Sequence, residues 1–427
     1  MSTNLTDSTN FGTPKFDLLR PLLWVMAGTF LFFSLSFLNP VQAKTSKKNL
    51  KNQRLYAATK SKRKRVRLKT RNQIGLKPEK RSRTAKKLRL LWRLGLDGRS
   101  YENETDTAQL SIFSAQTKLR YRLAPSLSLR SDVSARLGTG RSQSRFGEYT
   151  PVNGFKVREA IVRWTPIYNL GLEAGALGNN SKMPNLISKG AFPGVSQFIR
   201  FKSKYFRAKF KALQAIPTST TLSTRAIEKE ETPYFFTESF EVTVKPAKEF
   251  SITGYVRHFS FVDLPSAVAQ DSALQGNTVF EIGPNDSAFR YEFNGWAYGA
   301  ESKVKLHRRF TLLGGIFIVT NSEAPEAFNQ GQYTFGGARF NFKDVEISTV
   351  GDYFFTESDV TPAFYNSSAY GHNNRQGFGA KIGLKFKKLG FNLSMSYVEA
   401  QLINPTANQS DQRVLGIRLE TLYDKLL

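Results

Sequence analysis

The chain has 427 residues, 40% of them hydrophobic and 13% aromatic, with 35 Phe against 4 Met and a formal net charge of +28. The absence of cysteine excludes a disulfide framework, a thiolate metal site and an N-terminal lipidated Cys. The charge is concentrated: residues 44–89 hold 20 Lys or Arg against the single acid Glu79, so +19 of the +28 lies there and +9 is left for the rest. A nucleic-acid partner, which the total charge alone would suggest, is therefore not expected of the body of the chain.

In chain order, the first feature is an uncharged apolar run over residues 21–38, preceded by Lys15 and Arg20 and followed by Val41-Gln42-Ala43. This is the layout of a signal peptide over residues 1–43, cut after Ala43. At 18 residues the run is also near the minimum for a retained anchor, and Lys44, Lys47 and Lys48 directly after the cut count against translocation. Residues 44–87 form a basic, nearly acid-free segment, with Lys62-Arg63-Lys64-Arg65-Val66-Arg67 at its centre. Charge this dense and one-signed cannot bury a core, so disorder is expected, and an anionic periplasmic partner such as peptidoglycan is the functional reading.

From Leu88 the sequence returns repeatedly to a period of two. Leu88, Leu90, Trp92, Leu94 and Leu96 alternate with Arg89, Arg93 and Asp97, and similar runs follow at Phe206, Ala208, Phe210 and Ala212 against Arg207, Lys209 and Lys211. Others run through Phe236, Phe240, Val242 and Val244, through Ala380, Ile382, Leu384 and Phe386, and through Leu415, Ile417 and Leu419. A period of two marks strands with two unlike faces. Expected short turns at 124–126, 165–169, 203–205, 245–249, 307–309, 342–344 and 387–390 alternate with longer stretches. These lie at 99–107, 139–154, 178–194, 217–232, 263–287, 321–330, 357–374 and 403–410. The pattern predicts an all-β fold over residues 88–427, a transmembrane antiparallel up-and-down barrel of about 16 strands with short periplasmic turns and longer outer loops.

A barrel of that size leaves an aqueous channel, and the face opposite the apolar residues would line it. That face carries Arg89, Arg93, Lys118, Arg120, Arg122, Arg130, Arg136, Arg163, Arg207, Lys209, Lys211, Arg339, Lys381, Lys385 and Arg418 against fewer acids, among them Asp97, Asp132, Glu159 and Glu420. A mild anion preference is the expected consequence.

The alternating strands, the leader, residues 155–166 (FKVREAIVRWTP) and Leu172-Glu173-Ala174-Gly175 together resemble Gram-negative outer-membrane porins, with the texture of the phosphate- and carbohydrate-selective relatives. The resemblance implies passive diffusion of small hydrophilic or anionic solutes, contact with outer-membrane lipid, no cofactor, and leaves a homotrimer open. In trimeric porins the loop after the fifth strand folds inward. Here that candidate constriction loop brings Asn179, Asn180, Lys182, Asn185 and Lys189, with residues 263–287 as its rival. The family's terminal aromatic is missing, so either Tyr423 or Leu427 would serve as the assembly signal. Two alternatives stand beside the channel: a structural anchor gripping the cell wall through its basic tail, and a barrel-type lipase or deacylase. The second has only His258, His307 and His372 to draw on, and no serine-hydrolase, metal or phosphate-loop motif accompanies them.

Overall fold

The computed structural model describes residues 88–103, 107–143, 153–178, 186–217, 230–283, 286–366, 370 and 372–425. The expected signal peptide and basic segment lie outside the described residues. Sixteen long strands follow one another among the described residues. They are β1 (Leu88–Glu102), β2 (Thr107–Arg122), β3 (Leu127–Gln143), β4 (Gly154–Ile167), β5 (Leu170–Gly178), β6 (Ala191–Lys202), β7 (Phe206–Ala215), β8 (Tyr234–Val244), β9 (Phe250–Val262), β12 (Phe293–His307), β13 (Phe310–Asn321), β14 (Gln330–Asn341), β15 (Val345–Thr356), β16 (Arg375–Phe386), β17 (Phe391–Leu402) and β18 (Gln412–Thr421). Between β9 and β12 the chain forms helix α1 (Ser266–Ala273) and a small hairpin of β10 (Val279–Gly283) and β11 (Asp286–Phe289). A two-residue strand, β19 (Asp424–Lys425), completes the order.

Each long strand pairs antiparallel with its neighbours in sequence, β9 pairs with β12 across the insertion, and β1 pairs with β18 over Gly95↔Glu420 to Glu102↔Arg413, so the sheet closes on itself. Closure leaves no unpaired edge.

The period of two assigns the faces. Leu96, Phe113, Leu137, Trp164, Leu172, Phe210, Phe240, Trp296, Ile382, Met395, Leu415 and Ile417 are all exposed, and they occupy one parity of the ladder, the outer wall. A solvent-exposed wall this apolar suits hydrocarbon. Connections at 123–126, 168–169, 203–205, 245–249, 308–309, 342–344 and 387–390 are short, and Gly390 closes the last of them at φ 74°, a left-handed position that glycine takes without penalty.

One expected long stretch is mostly strand: residues 99–102 continue β1, and only 103–106 connect it to β2. Beyond the apolar band both faces of β1 turn polar. There Asp97, Arg99 and Tyr101 interact along one face, Arg99 bonding Asp97 at 2.8 Å and Tyr101 at 3.2 Å, so the alternation no longer shows in hydropathy.

Candidate functional site: the inner wall and its loop lock

The fifteen basic residues expected to line the lumen fall on one parity of the ladder, opposite to the apolar wall. Register connects Arg89 to Arg120 and Arg120 to Arg130, Lys118 to Asp132, Arg122 to Ser128, Arg163 to Glu173, and Arg136 to Gly154. Further round, Arg207, Lys209 and Lys211 pair with Lys202, Arg200 and Phe198, Arg339 with Ser348, Lys385 with Glu346, Lys381 with Val350, and Arg418 with Asp97.

Two ion clusters form on this wall. Glu173 is 4% exposed, paired with Arg163 and with Lys211 at 3.3 Å, and it accepts from Ser196 at 3.0 Å. Arg163, Arg200 and Lys209 surround the Phe198 ring at 5.2, 5.9 and 5.8 Å, each cation facing the ring's negative face. A polar recess of about 110 Å³ opens here, lined by Glu159, Arg163, Glu173, Lys209, Lys211 and Arg257 among others. On the adjoining strands, β18 and β1–β3, Glu420 holds Arg93 at 2.9 Å and Arg418 at 3.0 Å, and Asp132 holds Lys118 at 3.4 Å. Tyr423 lies against this second cluster, its ring 4.7 Å from Arg93 and 4.6 Å from Lys118, while Leu427 is outside the described residues.

Three outer loops pack against the inner wall of β5–β9 and β12–β13. Leu186 and Ile187, Val268 of α1, and Val360 and Tyr365 join Phe192, Phe235, Phe259, Phe261, Phe293 and Phe317 in one apolar cluster. Their backbones are held by a buried polar network. The Asn277 amide donates to Ser358 O at 2.7 Å and Thr361 O at 3.1 Å and accepts from Ala363 N at 2.7 Å. Asp359 accepts from the Thr278 N–H (3.0 Å) and from the Thr278 and Ser358 hydroxyls (2.8 Å each); burial pushes its carboxyl above the usual range. Asn373 donates to Ser358 O and Thr361 O at 2.8 and 2.7 Å, and Thr361 donates to Leu186 O at 2.8 Å. His372 (φ 72°) and Asn374 (φ 58°) flank Asn373 in left-handed conformations, and Gly276 (φ 101°) passes so close that an added Cβ would lie 2.6 Å from Asn373 O. Backbone held this way by its surroundings is characteristic of functional loops.

Of the candidate constriction residues, Asn179, Asn180, Lys182 and Asn185 lie outside the described residues. Lys189 is described, and its N–H donates to Tyr365 O at 2.7 Å. Enclosure inside the barrel, and then the charges of Lys156, Arg136 and Arg99, push its ammonium down to about 8. The rival stretch, 263–287, also joins the lock, through Asn277 and α1. Sequence reasoning missed the third participant, residues 357–374.

The histidines lie apart. His258 Nε2 meets Asn294 Oδ1 at 2.9 Å on the outer wall, His307 Nδ1 accepts from Arg309 N at 3.3 Å in a turn, and His372 Nδ1 meets Ala363 O at 2.9 Å and Asn366 Oδ1 at 3.0 Å. None of these bonds reaches a hydroxyl nucleophile.

The sheet closed by β1 and β18, charged inside and apolar outside, settles the architecture. It is a closed antiparallel up-and-down β-barrel of 16 long strands among the described residues. No family model matches the chain, and no curated protein matches it. Among solved structures it is similar to OprB of Pseudomonas putida (11% identity, TM-score 0.49, covering 78% of this chain and 93% of that one). It is also similar to a loop-deleted OmpT of Vibrio cholerae (8%, 0.47, 79% and 100%) and to the outer membrane channel DcaP of Acinetobacter baumannii (10%, 0.45, 78% and 96%). Likeness at this level carries no solute and no mechanism to this chain.

Proposed function

We propose that the protein is an outer-membrane porin, a passive diffusion channel for small hydrophilic solutes with a mild preference for anions. The observation that carries this reading is the opposition of the two walls: exposed leucines, phenylalanines and tryptophans outside, and an excess of Arg and Lys over acids inside. Hydrocarbon takes the first and water the second. A ring of fixed positive charge raises the local concentration of anions and lowers that of cations.

The loop lock narrows the outer half of the barrel on the β5–β9 side. Lys189 is carried by that lock and is coupled electrostatically to Arg99, Arg136 and Lys156 on the inner wall. An anion entering from outside meets these bases first, and then the clusters around Glu420 and Glu173.

Reversal potentials of the purified chain in a planar bilayer under a salt gradient test the preference. The expected sign is that of anion selectivity, and cation selectivity would refute it. The reading includes export by cleavage after Ala43 and a periplasmic role for residues 44–87, whose charge suits peptidoglycan carboxylates. Deleting 44–87 is expected to reduce retention on purified cell wall while leaving conductance intact.

A further inference from the structure

At its closing seam the ladder changes face. Along β18 the outer parity runs through Leu415, Ile417 and Leu419, all exposed, and on to Thr421, the partner of Phe391. Tyr423 continues that parity, and in an unbroken ladder it would face outward with them. The pairing with β1 turns it round. β18 meets β1 at Gly95↔Glu420 and β19 meets it at Trp92↔Asp424, so β1 advances three positions while the opposite side advances four. The extra residue makes a bulge, and a one-residue slip moves every later side chain to the other face. Asp424 therefore shares the outer parity of Trp92, and Tyr423 points inward beside Arg93.

The backbone at the bulge has specific partners. The Leu94 N–H donates to the Thr421 hydroxyl at 3.0 Å, and the Leu422 N–H donates to Gly390 O in the β16–β17 turn at 2.6 Å. A bulge held in this way re-aims a side chain. The re-aimed ring has the Arg93 guanidinium 4.7 Å and the Lys118 ammonium 4.6 Å from its centroid. Arg93 is also held by Glu420 at 2.9 Å and by Gln116, and its side chain is 19% exposed. Among the described residues Lys118 has Asp132, at 3.4 Å, as its one further partner, and its side chain is 41% exposed. Asp132 does not depend on Lys118 for its place, because the Gln116 amide donates to it. Arg93 stands five positions from Leu88 and Lys118 four from Arg122, at the short-turn ends of their strands. With a rise of about 3.3 Å per residue and a tilt near 40°, both lie roughly 10–13 Å in from that rim, on wall that every permeating ion passes.

We propose that Tyr423 is a positioning residue of the pore, re-aimed by the bulge to hold Lys118 against the inner wall and so to moderate the anion preference. A cation over an aromatic ring at a partly exposed site is held by a factor of about 2 to 5. Arg93 keeps Glu420 and Gln116 without the ring, so Lys118 is the group whose position the ring decides. Released, its ammonium moves on a flexible four-carbon stem into the water path, while Asp132 stays on the wall with Gln116. The lumen then carries an uncompensated positive charge nearer its axis, which raises the local anion concentration. With the ring in place that charge stays beside its carboxylate. This rests on the channel reading above.

The test compares Tyr423→Leu, which removes the π face, with Tyr423→Phe, which keeps the face and removes the hydroxyl. Full-chain barrels in liposomes, shown to be folded by heat-modifiable mobility on gels, are treated with a water-soluble amine-acylating reagent. Labelling of Lys118 is read by peptide mass spectrometry against Lys381 on β16, which Tyr423 does not touch. The relative labelling rate of Lys118 is expected to rise about 2- to 5-fold in Tyr423→Leu and to match wild type in Tyr423→Phe. In planar bilayers the anion-over-cation permeability ratio from reversal potentials should rise in Tyr423→Leu, stay at the wild-type value in Tyr423→Phe, and not respond to Tyr423→Leu in a Lys118→Gln background. Equal labelling in all three chains, an effect of Tyr423→Phe as large as that of Tyr423→Leu, or a selectivity shift that persists without Lys118 would overturn the inference. Labelling is read without current, so a folded barrel that carries none refutes the channel reading separately from the role of Tyr423.

Discussion

Replacing Asn277 by Ala removes the side chain at the centre of the loop lock. Its amide donates to Ser358 O and Thr361 O, and its carbonyl accepts from Ala363 N. The two carbonyls keep a donor, because Asn373 Nδ2 bonds both, at 2.8 and 2.7 Å. The Ala363 N–H keeps none of its side-chain bonding, and a buried donor left unmade costs about 1–3 kcal/mol. At about 1.4 kcal/mol per factor of ten, the equilibrium between packed and released loops shifts roughly 5- to 100-fold toward release. Because Val360, Tyr365 and Val268 sit on the inner wall beneath this network, release widens the lumen. The expected readout in single-channel recordings is a larger or more frequent high-conductance level, together with faster protease cleavage within residues 357–374 and unchanged heat-modifiability of the barrel. Gating and cleavage identical to wild type would refute the assignment of the network as the lock.

Three further outcomes follow from the same geometry. Lys189 titrates at about 8, so it is charged below that pH and neutral above it; anion selectivity from reversal potentials should fall as pH rises from 7 to 9, and Lys189→Gln should flatten the dependence. Burial, then the positive charges of Lys189 and Arg375, push His372 down to about 4 from 6.5, so the folded loops favour the neutral ring. The contribution of His372 to the lock is complete above about pH 6.5 and is lost as pH falls toward 4, by up to about 3 kcal/mol, which amide exchange of residues 357–374 at pH 7 and pH 4 would register as greater loosening at pH 4 in the wild type than in His372→Gln. Glu173→Gln leaves Arg163 and Lys211 without their shared carboxylate; it should raise anion selectivity and lower the denaturant midpoint, the cost being of order 3 kcal/mol for a broken buried ion pair.

The barrel was legible because its two solvents impose two kinds of residue on alternate positions, as in Leu88–Leu96 against Arg89, Arg93 and Asp97. The turns were legible because short connections on one side are forced by antiparallel neighbours. The rim of β1 was not, since beyond the apolar band Gly98, Ser100 and Glu102 on one face and Arg99 and Tyr101 on the other are both polar. Nor was the loop lock: Asn277 and Ser358 are 81 positions apart, and nothing in the spacing of asparagines in two polar loops says that they meet.

The central claim is that the charged inner wall encloses a continuous water path past the loop lock. Single-channel recording of the purified, heat-modifiable barrel in a planar bilayer addresses it most directly. Discrete conductance steps that scale with salt concentration are predicted; a fully folded, inserted barrel that carries no current would contradict the account.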